Sequence, residues 1–122
     1  IYTVCEQDYP NEYLGLTWWQ PIFNKYNYLS VFENHKHIMT KTVKLKGGVE
    51  DDQGTYYLGE GAWGVLSNQD CDKDYENINE IFTDYSSERH FWILTIDPIK
   101  RAANYAAYSI NGTVLIKDFG QT

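Results

Sequence analysis

The chain is short of basic residues and sulfur, and each shortage narrows the class of protein. Ten Lys and Arg stand against 17 Asp and Glu, for a net charge of −7. A protein that grips a phosphate backbone needs a basic stripe, so nucleic acid is not an expected partner. An anionic membrane surface is disfavoured for the same reason. No run of about 18 apolar residues exists, so no membrane insertion is expected. Methionine occurs once, at Met39, and cysteine twice, at Cys5 and Cys71. Neither cysteine lies in a C-x-x-C pair or a zinc-like cluster. There is no G-x-S-x-G elbow, no H-E-x-x-H and no phosphate loop, so no catalytic residue, metal or cofactor is assigned and the chain reads as a non-enzyme. A convincing amphipathic helix is missing too. That argues against a cone-shaped α+β fold, in which one long helix packs on a curved sheet.

What is present is aromatic. Aromatics make up 16% of the 122 residues, with 11 Tyr and 4 Trp. Large flat side chains suit sheets, cavity walls and recognition surfaces. The length argues for one domain over 1–122, with 1–12 as a mixed, polar, extended N-terminal arm. The chain begins at Ile1, without Met or a signal sequence, and reads as a mature or trimmed product. The tyrosine-rich, methionine-poor composition suits a secreted protein. In that setting Cys5 and Cys71 would pair, closing a loop of roughly 65 residues worth about 4 kcal/mol in the chain-entropy model. Two free buried thiols are the alternative. Asn111-Gly112-Thr113 is an N-glycosylation sequon in a turn, which also fits secretion.

Turn signals divide the rest into strands. "YLGLTWWQPIF" reads as a first strand, or a brief helical turn running into one, with Pro21 interrupting it. Residues 28–45 form the longest β-like run. "KGGVEDDQG" is turn chemistry. "TYYLGEGAWGVLSN" is a strand whose glycines fit a sharp bend or a ring packed across it. "QDCDKDYENINE" is an acidic loop or short helix. "IFTDYSS", "RHFWILTIDP", "YAAYSI" and "TVLIKDF" are strands, the last two joined at Asn111-Gly112 by a type I′ turn. Several antiparallel strands with little helix close as a barrel or pack as a sandwich, and bend glycines with bulky aromatics favour a small barrel.

The C-terminal third resembles the late strands of the lipocalins. Trp92-Ile93-Leu94 with Asp97 matches one strand of that family, and Asn104-Tyr105-Ala106 with Tyr108-Ser109 matches the next. Tyr13-Leu14-Gly15 ahead of Trp18 and Trp19 is similar to the family's opening motif, with one extra residue before Trp18. Ile96 and Pro98 depart from the pattern, and Lys117 stands where the family has an arginine. The resemblance covers about half the chain. It implies an all-β, up-and-down antiparallel barrel of the calycin type, with Trp18 plugging the closed end and Trp19 on the other side of the strand.

Candidate chemistry follows from side chains. His35-x-His37 would place two imidazoles on one strand face, but no third metal ligand is near in sequence. Asp70, Asp72 and Asp74 alternate like half a calcium loop without its glycine and closing glutamate. A pocket for a small, largely apolar molecule needs aromatic walls with a few polar groups. Trp63 and Trp92 are the expected walls, Tyr57 and Tyr105 the hydroxyl donors, with Phe32, Met39 and Tyr108 completing the set. The expected function is a secreted carrier. The rival is a secreted interaction protein, an inhibitor or a subunit of a homo- or hetero-oligomer, with a filled barrel and tyrosines turned outward.

Overall fold

A computed structural model describes residues 2, 15–34, 36–60, 62–66 and 81–121. Cys5, Cys71, the arm at 1–12 apart from Tyr2, His35 and the Asp70–Asp72–Asp74 run lie outside the described residues. The described chain is mostly strand, with one short helix. None of its helices is long and apolar enough to cross a membrane.

The first regular segment is helical. A π-helical turn, Gly15–Trp19, runs into helix α1, Gln20–Tyr26. Pro21 sits in the first turn of α1, directly after the π-helical turn, where proline's fixed φ suits the start of a helix. Asn27 ends the helix in the left-handed region at φ 50°, and its N–H caps Phe23 O. Of the two readings of this stretch, the helical one holds. Trp18 is therefore not a barrel plug: it lies on the helix surface, 64% exposed, and Trp19 is exposed beside it. The buried face is Gln20 and Phe23.

Among the described residues nine strands follow: β1 (Ser30–Asn34), β2 (Met39–Thr42), β3 (Leu45–Lys46), β4 (Val49–Glu50), β5 (Tyr56–Glu60), β6 (Phe82–Ser86), β7 (His90–Asp97), β8 (Ala102–Ser109) and β9 (Val114–Gln121). The long β-like run of 28–45 is broken, because His37 takes a left-handed φ of 57° between β1 and β2. His37 thus leaves the strand ladder, and its Nδ1 lies 3.2 Å from Leu66 O. The expected two-imidazole strand face does not form at His37.

β1, β5, β2 and β6 make one sheet in that order, and β7, β8 and β9 make a second. The second is an antiparallel meander, as its turn signals require. The first is not: β1 pairs with β5 in parallel, Val31 beside Tyr57 and Phe32 beside Leu58. A parallel neighbour cannot come from a simple hairpin. The up-and-down order expected from the sequence is therefore broken at β1, and the described strands do not form a closed ring. β3 and β4 form a hairpin on Gly47 and Gly48, both at positive φ, which is the two-residue I′ geometry. The β8–β9 link differs from the I′ turn read in Asn111-Gly112. Only Gly112 has positive φ (88°), Gly112 N–H donates to Ser109 O, and Ser109 N–H donates to Thr113 O. That is a three-residue loop with glycine at its left-handed position.

The first sheet has cover on both faces. Tyr57 packs with Phe23 of α1 and Leu45 of β3 on one side. On the other, Leu58 of β5 packs on Ala103 and Tyr105 of β8, and Met39 of β2 on Ala107 and Ile116. The layers are helix, first sheet, second sheet. Gly59 makes the close approach within the first sheet: a Cβ there would meet Ile38 O at 2.7 Å and Thr40 N at 3.0 Å. Glycine is needed for a neighbouring backbone, not for a ring packed across it.

Candidate ligand-binding site between the sheets

Register partners in an antiparallel pair share a face of the sheet. Leu94 pairs with Tyr105 and Ile96 with Ala103, and both partners are buried against Leu58. Trp92, Leu94 and Ile96 therefore line the core-facing side of β7. Yet Leu94 is 40% and Ile96 64% exposed. The first sheet covers β8 fully and β7 only at its N-terminal end, where Trp92 Nε1–H donates to Gly59 O at 3.0 Å. Beyond that point the core-facing surface of β7 is open to solvent.

Phe32 stands across from this opening. It belongs to β1, an outer strand of the first sheet, and is partly exposed. Its ring centroid is 6.0 Å from Trp92 and 6.5 Å from Tyr105. Behind them Tyr105 stacks on Phe119 at 5.0 Å, and Phe119 meets Tyr56 edge-on at 5.1 Å. Tyr105 Oη–H donates to Ser30 Oγ at 3.0 Å, which fixes β8 to β1. The ammonium of Lys41 sits 4.9 Å from the Phe119 centroid and 5.6 Å from Tyr56. It donates to Thr83 Oγ1 at 2.8 Å and pairs with Asp84 at 3.2 Å. This closes the aromatic group on the side away from the opening with a cation held by ring faces and a carboxylate. Burial pushes the Tyr56 hydroxyl up from its ordinary range, so it stays a neutral donor.

One polar pair shares the core-facing side. His90 is fully buried, with Nδ1 3.0 Å from Glu88 O. A carbonyl only accepts, so Nδ1 carries the proton. Nε2 lies 3.8 Å from Glu60 Oε1.

Of the seven nominated wall residues, four converge here. Phe32, Trp92 and Tyr105 are in mutual ring contact or packed together, and Met39 joins Trp92 in the adjacent core. Tyr57 does not: it faces the helix layer, edge-on to Tyr2 at 4.6 Å, and burial pushes its hydroxyl far up. Trp63 and Tyr108 do not either. Both pack on Phe91, at 5.2 and 5.7 Å, and β7 alternation puts Phe91 on the outward side of the second sheet. Trp63 is 60% exposed there. Asn111 is exposed on the β8–β9 loop, where its Oδ1 accepts from Thr113 N–H at 3.0 Å.

The sequence reading missed Leu94, Ile96, Tyr56 and Phe119. A signal existed for the first two, since period-2 counting from Trp92 puts them on its face. "FWILTI" is apolar on both faces, however, and gives no hint of which side is open. Comparison of the sequence with protein-family models and with curated proteins finds no match.

Proposed function

We propose that the protein is a lipocalin-like, non-enzymatic carrier. In this reading the two sheets are halves of a small flattened barrel, and a small, largely apolar ligand seats between β1 and β7. The observation that carries the reading is the solvent exposure of the core-facing side chains Leu94 and Ile96 beside Phe32 and Trp92. An interior apolar surface reached by water is what a ligand pocket requires and what a filled core avoids. The aromatic rings give dispersion contact and the Ser30–Tyr105 hydroxyls a polar end. Covering about 300 Å² of ligand is worth roughly 7 kcal/mol at 25 cal/mol per Å², before the cost of immobilisation. Micromolar affinity is the expected scale.

Titration with the neutral fluorophore N-phenyl-1-naphthylamine tests it. Saturable binding should occur, fall at least tenfold in Leu94→Asp, and persist in Trp63→Ala. No saturable binding in the unaltered chain, or equal loss in Trp63→Ala, would reject the carrier. The outward, exposed Trp63 and the tightly packed Tyr57 and Tyr105 favour the rival interaction protein, which the same titration would leave standing. Secretion and a Cys5–Cys71 bridge remain part of the proposal. Intact mass before and after reduction with alkylation checks the bridge, and two thiols alkylated without reduction would remove it.

A further inference from the structure

The outward face of the helical segment carries the largest aromatic exposure near one element. Trp18, Trp19, Ile22 and Tyr26 are 49–64% exposed. Ile22 and Tyr26 lie one α-helical turn apart, Trp18 and Trp19 precede them in the π-helical turn with Trp19 edge-on to Phe23 at 6.3 Å, and Gln20 and Phe23 are buried. The amphipathic pattern is thus inverted in content. The exposed side carries more ring surface than the buried side, which is Gln20 and Phe23. The four side chains leave on the order of 500 Å² of apolar surface in water, taking 150–250 Å² per aromatic ring. That reaches the size at which a patch on a soluble protein calls for a partner.

Charge narrows the choice of partner. The chain has 17 acidic residues, yet none falls between Glu12 and Glu33. Of the two longest acid-free stretches, 13–32 and 98–117, of a molecule with net charge −7, the helix sits in the first. Lys25 is the only charged residue in it, and its ammonium lies 5.2 Å from the Tyr26 ring. Interface centres have this composition: aromatic, with charge depleted. For two copies of an acidic chain, it is a segment that brings no carboxylate of its own to the contact. A two-fold contact pairs the same patch with itself, and two faces of this size bury about 1,000 Å², the lower bound of a specific interface.

We propose that the Trp18–Trp19–Ile22–Tyr26 face is the interface of a weak homodimer, two helices packed face to face across a two-fold axis. The dimer is separate from the carrier site, which lies between the sheets. It strengthens with salt, because screening relieves the repulsion of two acidic chains while leaving the apolar contact intact.

Sedimentation equilibrium of the full chain tests this at low and high salt, alongside Ile22→Glu and Trp18→Ser. The expected result is a reversible dimer with micromolar dissociation, tighter at high salt. Both variants should be at least tenfold weaker, with unchanged far-UV circular dichroism, unchanged melting of dilute monomer and unchanged binding of N-phenyl-1-naphthylamine. That last readout separates failure of the dimer from failure of the carrier. Two outcomes overturn the proposal: a monomer up to about 1 mM, or a dimer that both variants leave intact. A monomer that co-sediments with neutral phosphatidylcholine vesicles also overturns it and assigns the face to a lipid surface.

Discussion

β5 reads Tyr-Tyr-Leu-Gly-Glu and β7 reads His-Phe-Trp-Ile-Leu-Thr-Ile-Asp, and the more apolar of the two is the more exposed. The three central residues of β5 are buried, Gly59 among them, whereas Ile93 through Ile96 of β7 face solvent. Place in the topology explains the inversion. β5 lies between β1 and β2, with the helix layer on one face and the second sheet on the other. β7 lies at one side of its sheet, and the opposing sheet reaches only its N-terminal end, at His90 and Trp92. Hydrophobicity sets what a strand gains from burial; the neighbours supplied by the fold set whether it is buried. Apolar residues retained at an open position are the ones to which binding is most reasonably assigned.

The sharpest test of this contrast compares register partners. Tyr105→Ala should cost roughly 3–5 kcal/mol, because the ring is fully buried among Leu58, Trp92 and Phe119. Leu94→Ala, directly opposite, should cost less than about 1 kcal/mol, since much of its side chain is already wet. Urea unfolding of both variants measures the difference. Similar losses would mean that Leu94 of β7 is buried as deeply as Tyr105 of β8, and the opening between the sheets would go with it.

Glycine gives the next test. Gly59→Ala should cost roughly 2–3 kcal/mol, because the added carbon meets main-chain atoms of Ile38 and Thr40 that cannot rotate away. Gly64→Ala has nothing within 4 Å and should change stability by no more than about 0.5 kcal/mol. Equal effects would show that β5 and β2 are less closely paired than their register requires.

Smaller still is the closure behind the rings. Lys41→Met keeps the alkyl stem but removes the ammonium from Phe119, Tyr56, Thr83 and Asp84. The loss should be about 1 kcal/mol, since the ion pair is partly exposed and the ring contact modest. Asp84→Asn should cost less than Lys41→Met, because the rings still hold the cation. The reverse order would assign the strength to the ion pair.

The second sheet was legible in the sequence because its information is local. Alternation in "YAAYSI", the stop at Pro98, where Asp97 Oδ1 accepts from Ile99 and Lys100 N–H, and the Asn-Gly loop all lie within a few residues. The parallel pairing of β1 with β5 was not legible. Its partners are 26 residues apart, as Ser30 and Tyr56 are, and no turn records the register. Pro21 was ambiguous because the same residue breaks a strand and starts a helix. Trp18 was misplaced as a result, since a strand would have buried it and a helix surface does not. The site was half legible: aromatic identity nominated Phe32, Trp92 and Tyr105, but it also nominated Tyr57, Trp63 and Tyr108, and only the layer order separates the two groups.

The smallest predicted effect concerns the covered side of β1, where Glu33 accepts the Tyr2 N–H at 3.0 Å. Burial pushes the Glu33 carboxyl above its ordinary range, with the Tyr2 amide pulling the other way. The folded pKa therefore lies above the unfolded one, near 4.3. Between the two values the folded chain keeps a proton that the unfolded chain has released. Its contribution is fully present below about pH 4 and is lost as pH rises through the folded value, opposite to the behaviour of a salt-bridged carboxylate. Glu33→Gln keeps an acceptor for Tyr2 and never ionises, so its stability should not fall over that window. Urea unfolding of both proteins between about pH 4 and 7 should give a difference that grows in favour of the variant as pH rises. A constant difference would show that Glu33 is as solvated as the open side of β7, and would erase the asymmetry between covered and open faces at this strand.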